Sequence, residues 1–399
     1  MTSTNNFKFC ILAGEASGDK IGAHLIRWMK VIDSRATFYG VGGSAMLNAG
    51  LPRSMFPIED ISIMGLVELI PHIFRIKRLI KETADEILRI EPAVVVTIDA
   101  PGFNRRVIEN IRSKVKSSMK IVNYVAPSPW ALNEHRLNKV MKRLATLYDH
   151  QFLILPNEEK YCDAVALPAT FVGHPICEMP LFQQDSDKSS TIRAKYGIHD
   201  DEQVIVLMPG SRKVEIMWHK KIYMDVMAQL IRKAPNLKFF MPTLPHIEDM
   251  LHTEFATLGN RLIISSSDQT RCDLLSIASF GIIKSGTSSV ELMYYGIPMI
   301  VVYRVSSLTA CFLRRMLDNK YFAICNIVMN QQIVEEFIQE RCQPNLIANK
   351  ALDVLNDVKQ QDYQKKMYRI ALDILGRSLG EPPGLIAAKK LEALVSERV

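Results

Sequence analysis

Lys284-Ser285-Gly286-Thr287-Ser288-Ser289-Val290-Glu291 follows the apolar run Phe280 to Ile283. A strand that ends in a small-residue loop and opens a helix presents backbone N–H groups at its tip. The positive end of the helix dipole adds to their pull on an anion. Ser285, Gly286 and Thr287 are therefore a candidate phosphate site. Glu291 falls roughly one turn inside the helix, at about 1.5 Å of rise per residue. A carboxylate there can accept both hydroxyls of a ribose while the loop holds a diphosphate. The plainer alternative is a strand-to-helix turn with a surface glutamate.

Three more strand ends carry residues fit for chemistry. Asp99 follows Ala93 to Ile98 directly, where a rigidly held carboxylate can act as general base toward a hydroxyl; its plainer role is to cap the turn before the next helix. Ser211 and Arg212, in Pro209-Gly210-Ser211-Arg212, follow the run Val204 to Met208, and a guanidinium fork there matches pyrophosphate oxygens. An exposed loop arginine is the alternative. Glu15, Ser17 and Asp19 lie in Gly14-Glu15-Ala16-Ser17-Gly18-Asp19, a turn in which backbone can approach a ligand closely. That turn lacks the full Gly-x-Gly-x-x-Gly pattern and the later acidic residue of a dinucleotide site, which disfavours a dehydrogenase.

The elements that must position these residues alternate β and α, twice over. Expected strands are Phe7 to Ala13, Thr37 to Val41, Ala93 to Ile98, Lys120 to Val125 and Phe152 to Leu155, with a helix over Ile21 to Met29. After a polar linker at 179–191 they restart with Val204 to Met208, Leu237 to Met241, Leu262 to Ile264, Phe280 to Ile283 and Met299 to Tyr303. Short strands alternating with helices imply parallel sheets with right-handed crossovers. The expected fold class is α/β: two doubly wound Rossmann-like domains, 1–178 and 179–380, facing a cleft at the carboxyl ends of their strands. Gly380-Glu381-Pro382-Pro383-Gly384 breaks the helices, and 381–399 is expected as a helix that crosses back to the first domain or to a partner subunit.

Composition bounds the rest. The chain has 399 residues, 48% hydrophobic and 23% charged, which is a globular profile long enough for two domains. No apolar run approaches the roughly 20 residues of a membrane span, and Met1 to Lys8 lacks a secretory signal. Seven scattered Cys with no Cys-x-x-Cys pair fit reduced thiols in the cytoplasm. The formal charge of +7 favours anionic partners, phosphates or a lipid surface; no nucleic-acid partner is expected. Asp185-Ser186-Asp187 has the look of a metal-carrying pair, yet it lies in the polar linker and reads as solvated charge. His174 reads as a hinge residue at the domain junction. No metal and no cofactor are expected.

Taken in order, the motifs resemble the lipid-A-disaccharide synthase family of bacterial glycosyltransferases. The resemblance rests on Gly14 to Asp19, Gly40-Val41-Gly42-Gly43, Met64-Gly65-Leu66-Val67-Glu68, Ile98-Asp99-Ala100-Pro101-Gly102-Phe103-Asn104 and Tyr124-Val125-Ala126-Pro127-Ser128-Pro129-Trp130-Ala131. It continues with Phe171-Val172-Gly173-His174-Pro175, Pro209 to Arg212 with Glu215, Ser285-Gly286-Thr287 with Glu291, and Pro298 to Arg304. It implies a glycosyltransferase-B fold without a metal requirement. The implied donor is UDP-2,3-diacylglucosamine and the implied acceptor 2,3-diacylglucosamine 1-phosphate, joined with inversion into a β-1,6 disaccharide with release of UDP. By resemblance Asp99 is the general base, Arg212 and Glu291 serve the UDP half, and Asn326 lines the cleft near the donor. The chain departs from the family at Leu132-Asn133, at Asn157 and at Cys325, which bears on acyl-chain preference and turnover.

Ile63 to Lys81 mixes Met64, Leu66, Leu69 and Phe74 with Arg75, Lys77, Arg78 and Lys81. Such a stretch can lie on an anionic bilayer or grip acyl chains, as can Cys311 to Leu317; amphipathic core helices are the alternative. Both implied substrates carry acyl chains, so a cytoplasmic enzyme held peripherally on the inner leaflet of the inner membrane is expected. A homodimer stays open. Two other readings stand beside the transferase: another UDP-sugar enzyme of the same fold, such as an epimerase, or a non-catalytic protein that binds UDP-sugars or lipid.

Overall fold

In the computed structural model the described residues are 7–61, 73–116, 118–125, 129, 132–180, 182–183, 185–286, 288–306, 310 and 320–396. They fall into two compact units, one that runs to Glu178 and resumes at Leu375, and one formed by Met179–Ile374. The chain thus returns to the first unit at Leu375, ahead of the expected 381.

The first unit contains β1 (Lys8–Ala13), β2 (Thr37–Val41), β3 (Val94–Ile98), β4 (Lys120–Tyr124), β5 (His150–Leu153) and β6 (Ala169–Phe171). They form one sheet in the order β2-β1-β3-β4-β5-β6, with every pair parallel. Val94–Ile98 is buried at every position, as a strand covered on both faces must be. One face packs on helix Ala16–Ile32 through Ala23, Leu25 and Ile26, and on helix Pro383–Ser396 through Ala387, Ala388 and Leu391. The other face packs on helices Ile73–Ile90, Pro101–Ile111 and Glu134–Leu147 through Ile76, Leu79, Val107, Ile108 and Met141.

The second unit contains β7 (Gln203–Met208), β8 (Leu237–Pro242), β9 (Leu262–Ser265), β10 (Phe280–Lys284), β11 (Met299–Tyr303) and β12 (Glu336–Ile338). Their order is β12-β11-β10-β7-β8-β9, again all parallel. Two strands were missed in the sequence, β6 and β12. Each is a three-residue edge strand with little burial, too short to show a pattern. The expected linker 179–191 is also shorter than read, because a helix begins at Ser186. Asp185 is its cap: the carboxylate accepts the N–H groups of Asp187 and Lys188 at 3.1 and 3.3 Å.

In each sheet the strand order reverses once, between β1 and β3 in the first and between β7 and β10 in the second. Crevices at the carboxyl ends of such strand pairs are where doubly wound sheets bind ligands.

Candidate functional site

The first reversal brings the Glu15 turn against Asp99. A Cβ added to Gly14 would lie 2.0 Å from the Ala100 Cβ, so only glycine lets the two loops meet. Asp99 and Ala100 both take left-handed backbone, at φ 50° and 46°, which costs non-glycine residues energy and collects at functional sites. Asn104 supports the turn: its buried side-chain amide donates to the carbonyls of Leu12, Ile98 and Asp99 at 3.3, 3.2 and 2.8 Å. The N-cap position of helix Pro101–Ile111 is Ala100, which supplies no side-chain cap. Glu15 is half-buried at the start of helix Ala16–Ile32, and Ser17 is exposed two residues on. Asp19 is committed elsewhere. Its buried carboxylate accepts the N–H groups of Gly43, Ala45 and Met46 at 2.7, 2.9 and 3.0 Å, holding the Gly42-Gly43 turn to the first helix.

The second reversal gathers a charged cluster. Arg212 is the N-cap of helix Lys213–Lys233, and Lys284 is the last residue of β10. Both bind one oxygen of Glu215: Arg212 Nη1 lies 2.9 Å and Lys284 Nζ 2.7 Å from Oε1. The other oxygen accepts the Ser211 N–H at 3.1 Å. Gly210, at φ 138°, makes room, since a Cβ there would sit 2.6 Å from Glu215 Oε2. Burial disfavours the Glu215 carboxylate, but Lys284 and then Arg212 outweigh it and hold the carboxyl below its ordinary pKa. His219 lies behind the cluster. Its Nδ1 pairs with the Glu215 carbonyl at 2.7 Å and its Nε2 accepts the Arg304 N–H at 3.0 Å. Burial pushes its pKa down, so the neutral Nδ1–H tautomer fits both contacts.

Ser285 donates its hydroxyl to the Phe322 carbonyl at 2.7 Å, and Ser289 closes back on the Gly286 carbonyl at 2.8 Å. Thr287 lies outside the described residues. Glu291, in the first turn of helix Ser288–Tyr295, is gripped by both arms of the Arg271 guanidinium, with Nε at 2.6 Å. Burial works against the charge of Arg271, and the bonds to Glu291 reverse that and raise its pKa. Two hydrogen bonds leave a carboxylate further acceptor capacity, so Glu291 is oriented without being used up.

Asn326 must be corrected. It does not present its amide to a ligand: it is fully buried, and both ends are spent within the unit. Its Nδ2 donates to Val334 O and Glu336 Oε1 at 2.9 and 2.8 Å, and its Oδ1 accepts the N–H groups of Ile333 and Val334 at 2.7 and 3.0 Å. A saturated buried amide is a staple between helix Ile324–Met329 and β12. Arg271 is the charged residue that the sequence reading missed, since it stands 20 positions from Glu291 on another helix. Glu215 and Lys284 stand within the same motifs, and the three- and four-residue spacing of Glu215 from Arg212 and Ser211 is the sequence signal for their contacts.

On helix Ile73–Ile90, Phe74 is 81% exposed, with Arg75, Lys77, Arg78 and Lys81 exposed beside it. Arg75 pairs with Asp60 at 2.5 Å and Arg78 with Glu82 at 3.1 Å. Met64, Leu66, Leu69 and the segment Cys311 to Leu317 lie outside the described residues. Among the described residues, no helix is long and apolar enough to cross a membrane.

A family model described as lipid-A-disaccharide synthetase matches residues 9–381. A lipid-A-disaccharide synthase of Rickettsia conorii is 34% identical over 367 residues, which is 88% of this chain and 80% of the relative. Another from Granulibacter bethesdensis is 35% identical over 350 residues, 87% of this chain and 86% of the relative. In fold, the chain is similar to a UDP-GlcNAc 2-epimerase from Neisseria meningitidis, solved with UDP-GlcNAc bound. The TM-score is 0.66 at 13% identity, covering 97% of this chain and all of that one, and likeness at that identity concerns the fold alone. By the family match and the identity with these relatives, the chain belongs to the lipid-A-disaccharide synthase family and is a glycosyltransferase of lipid A biosynthesis, acting on UDP-sugar and lipid substrates.

Proposed function

We propose that the chain joins UDP-2,3-diacylglucosamine to 2,3-diacylglucosamine 1-phosphate, with Asp99 as general base and the second unit holding the UDP. Asp99 takes the proton of the acceptor 6-hydroxyl as its oxygen attacks the donor C1. The bond from C1 to the diphosphate oxygen breaks, and UDP leaves with the electron pair. Attack opposite the leaving group inverts the anomeric centre and gives the β-1,6 link. Arg212, with the Ser211 side chain and the Gly286 N–H in the loop after Ser285, meets the charge that develops on the diphosphate. Glu291, steadied by Arg271, accepts the ribose hydroxyls.

The observation that carries this reading is the placing of charge by type. A carboxylate on left-handed backbone, Asp99, directly follows β3, whereas cations, small residues and a held glutamate stand at the ends of β7 and β10. The exposed Phe74 and its basic neighbours support peripheral contact with an anionic inner leaflet. Mixing the two acylated sugars and measuring UDP release tests the reaction. Asp99→Asn keeps the shape and removes proton acceptance, so turnover should fall roughly 10²–10⁴-fold with UDP affinity unchanged. Near-normal turnover in that variant would take Asp99 out of the mechanism. Conversion of the UDP-sugar without acceptor would replace the transferase by an epimerase.

A further inference from the structure

Arg212 and Lys284 come from different strand ends, yet both are bound to one oxygen, Glu215 Oε1, at 2.9 and 2.7 Å. The three side chains carry two positive formal charges and one negative, and they do so where water is scarce: the side chains of Arg212, Lys284 and Glu215 are 26%, 18% and 18% exposed. Partial burial strengthens the pull of such cations on an arriving anion. The ring of Tyr303 lies 5.6 Å from the Lys284 ammonium and limits where it can turn.

Glu215 itself is the fixed member. Its second oxygen is fastened to the Ser211 N–H at 3.1 Å, within its own turn, and the side chain lies against Gly210, where even a Cβ would clash. The cations stand on longer, jointed stems, and a lysine carries three donors and an arginine five. An anion at the ends of β7 and β10 can therefore draw on both without dislodging the carboxylate.

We propose that Lys284 is a second cation for the donor's diphosphate and that Glu215 is the positioning residue that holds it and Arg212 toward that group. The inference rests on the reading of the second unit as the UDP site. It requires that the effect follow the phosphates and not the nucleoside, because neither residue is assigned to base or ribose.

Calorimetric titration of the full chain with UDP and with uridine tests this. Lys284→Met should weaken UDP roughly tenfold, the scale of one charged hydrogen bond. It should leave uridine affinity unchanged and make UDP binding less sensitive to salt. Lys284→Arg, which keeps the charge, should recover most of the loss. Glu215→Gln should weaken UDP several-fold, again without effect on uridine, with melting temperature measured for each variant. Unchanged UDP affinity in Lys284→Met, while Arg212→Ala loses it, overturns the inference and leaves the donor site standing. Unchanged affinity in Lys284→Met, Arg212→Ala and Glu291→Ala together overturns the donor site as well. Tighter UDP in Glu215→Gln overturns the positioning role, because the carboxylate would then be competing with the diphosphate. Equal losses for UDP and uridine also overturn it.

Discussion

Glu291 and Arg212 would act on opposite ends of one ligand, and their variants should differ accordingly. Arg212→Ala removes a charged donor and Glu291→Ala a charged acceptor. Each should weaken UDP by about 1.5–3 kcal/mol, tenfold or more in affinity. Glu291→Ala should weaken uridine as well, because the ribose is shared, whereas Arg212→Ala should not. Arg271→Ala should cost less than Glu291→Ala, since the guanidinium only orients the carboxylate. His174 offers a different test. Burial lowers its pKa to about 4 from the ordinary 6.5, its ring Nδ1 accepts the Ile176 N–H at 3.1 Å, and its backbone N–H donates to the Leu375 carbonyl at 2.7 Å. The unfolded chain therefore binds a proton between those values while the folded chain does not. Stability is undiminished above pH 6.5 and falls as pH drops toward 4, by roughly 3 kcal/mol from this residue. Urea denaturation across that range should show the slope, and His174→Gln should lessen it, the remainder belonging to the other buried histidines, His150 and His219; an unchanged slope would assign the whole effect to other groups.

Strands β3, β4 and β5 are built mainly of residues that could slide past one another. Val94–Ile98 and Lys120–Tyr124 are apolar apart from a few side chains, and parallel apolar strands define register weakly. Three buried polar residues form a ladder across them. Thr97 donates to the Asn123 amide oxygen at 2.9 Å, and Asn123 donates to the Gln151 amide oxygen at 2.9 Å. The ladder locks β3 in place two residues before Asp99. Asn123→Leu keeps the volume but leaves Thr97 and Gln151 without these bonds. It should destabilise the first unit by about 1–3 kcal/mol, read as a lower urea midpoint. If stability holds, the ladder is not what fixes register.

In the proposed reaction both substrates carry acyl chains, and the exposed Phe74 with its basic neighbours on helix Ile73–Ile90 is the proposed bilayer contact. Replacing Arg75, Lys77, Arg78 and Lys81 by Ser should weaken binding to anionic vesicles by about 1 kcal/mol per charge, and less at high salt. Lys77 and Lys81 should account for more of this than Arg75 and Arg78, which are already paired with Asp60 and Glu82. Phe74→Ser should reduce activity on long-chain substrates more than on short-chain analogues. Equal vesicle binding by wild type and the quadruple variant would move the lipid contact off this helix.

Residues 7–340 of the sequence already contained most of what the fold needs. Continuous apolar runs such as Ala93 to Ile98 and Met299 to Tyr303 specify buried parallel strands, because burial on both faces is a property of adjacent residues. The loops at their carboxyl ends were equally legible, and with them the places of Asp99 after β3, Arg212 after β7 and Glu291 in the helix after β10. What the sequence did not reveal are pairings between distant positions. Arg271 meets Glu291, and Lys284 meets Glu215, only because neighbouring helices and strands pack side by side. Asn326 reads like a ligand-facing residue and becomes a staple because β12, three residues long, runs beside it. The last helix joins the first unit's core because Ala387, Ala388 and Leu391 find a matching apolar face there. Local conformation follows from neighbours in the chain; which donor finds which acceptor follows from packing, and only the folded molecule decides it.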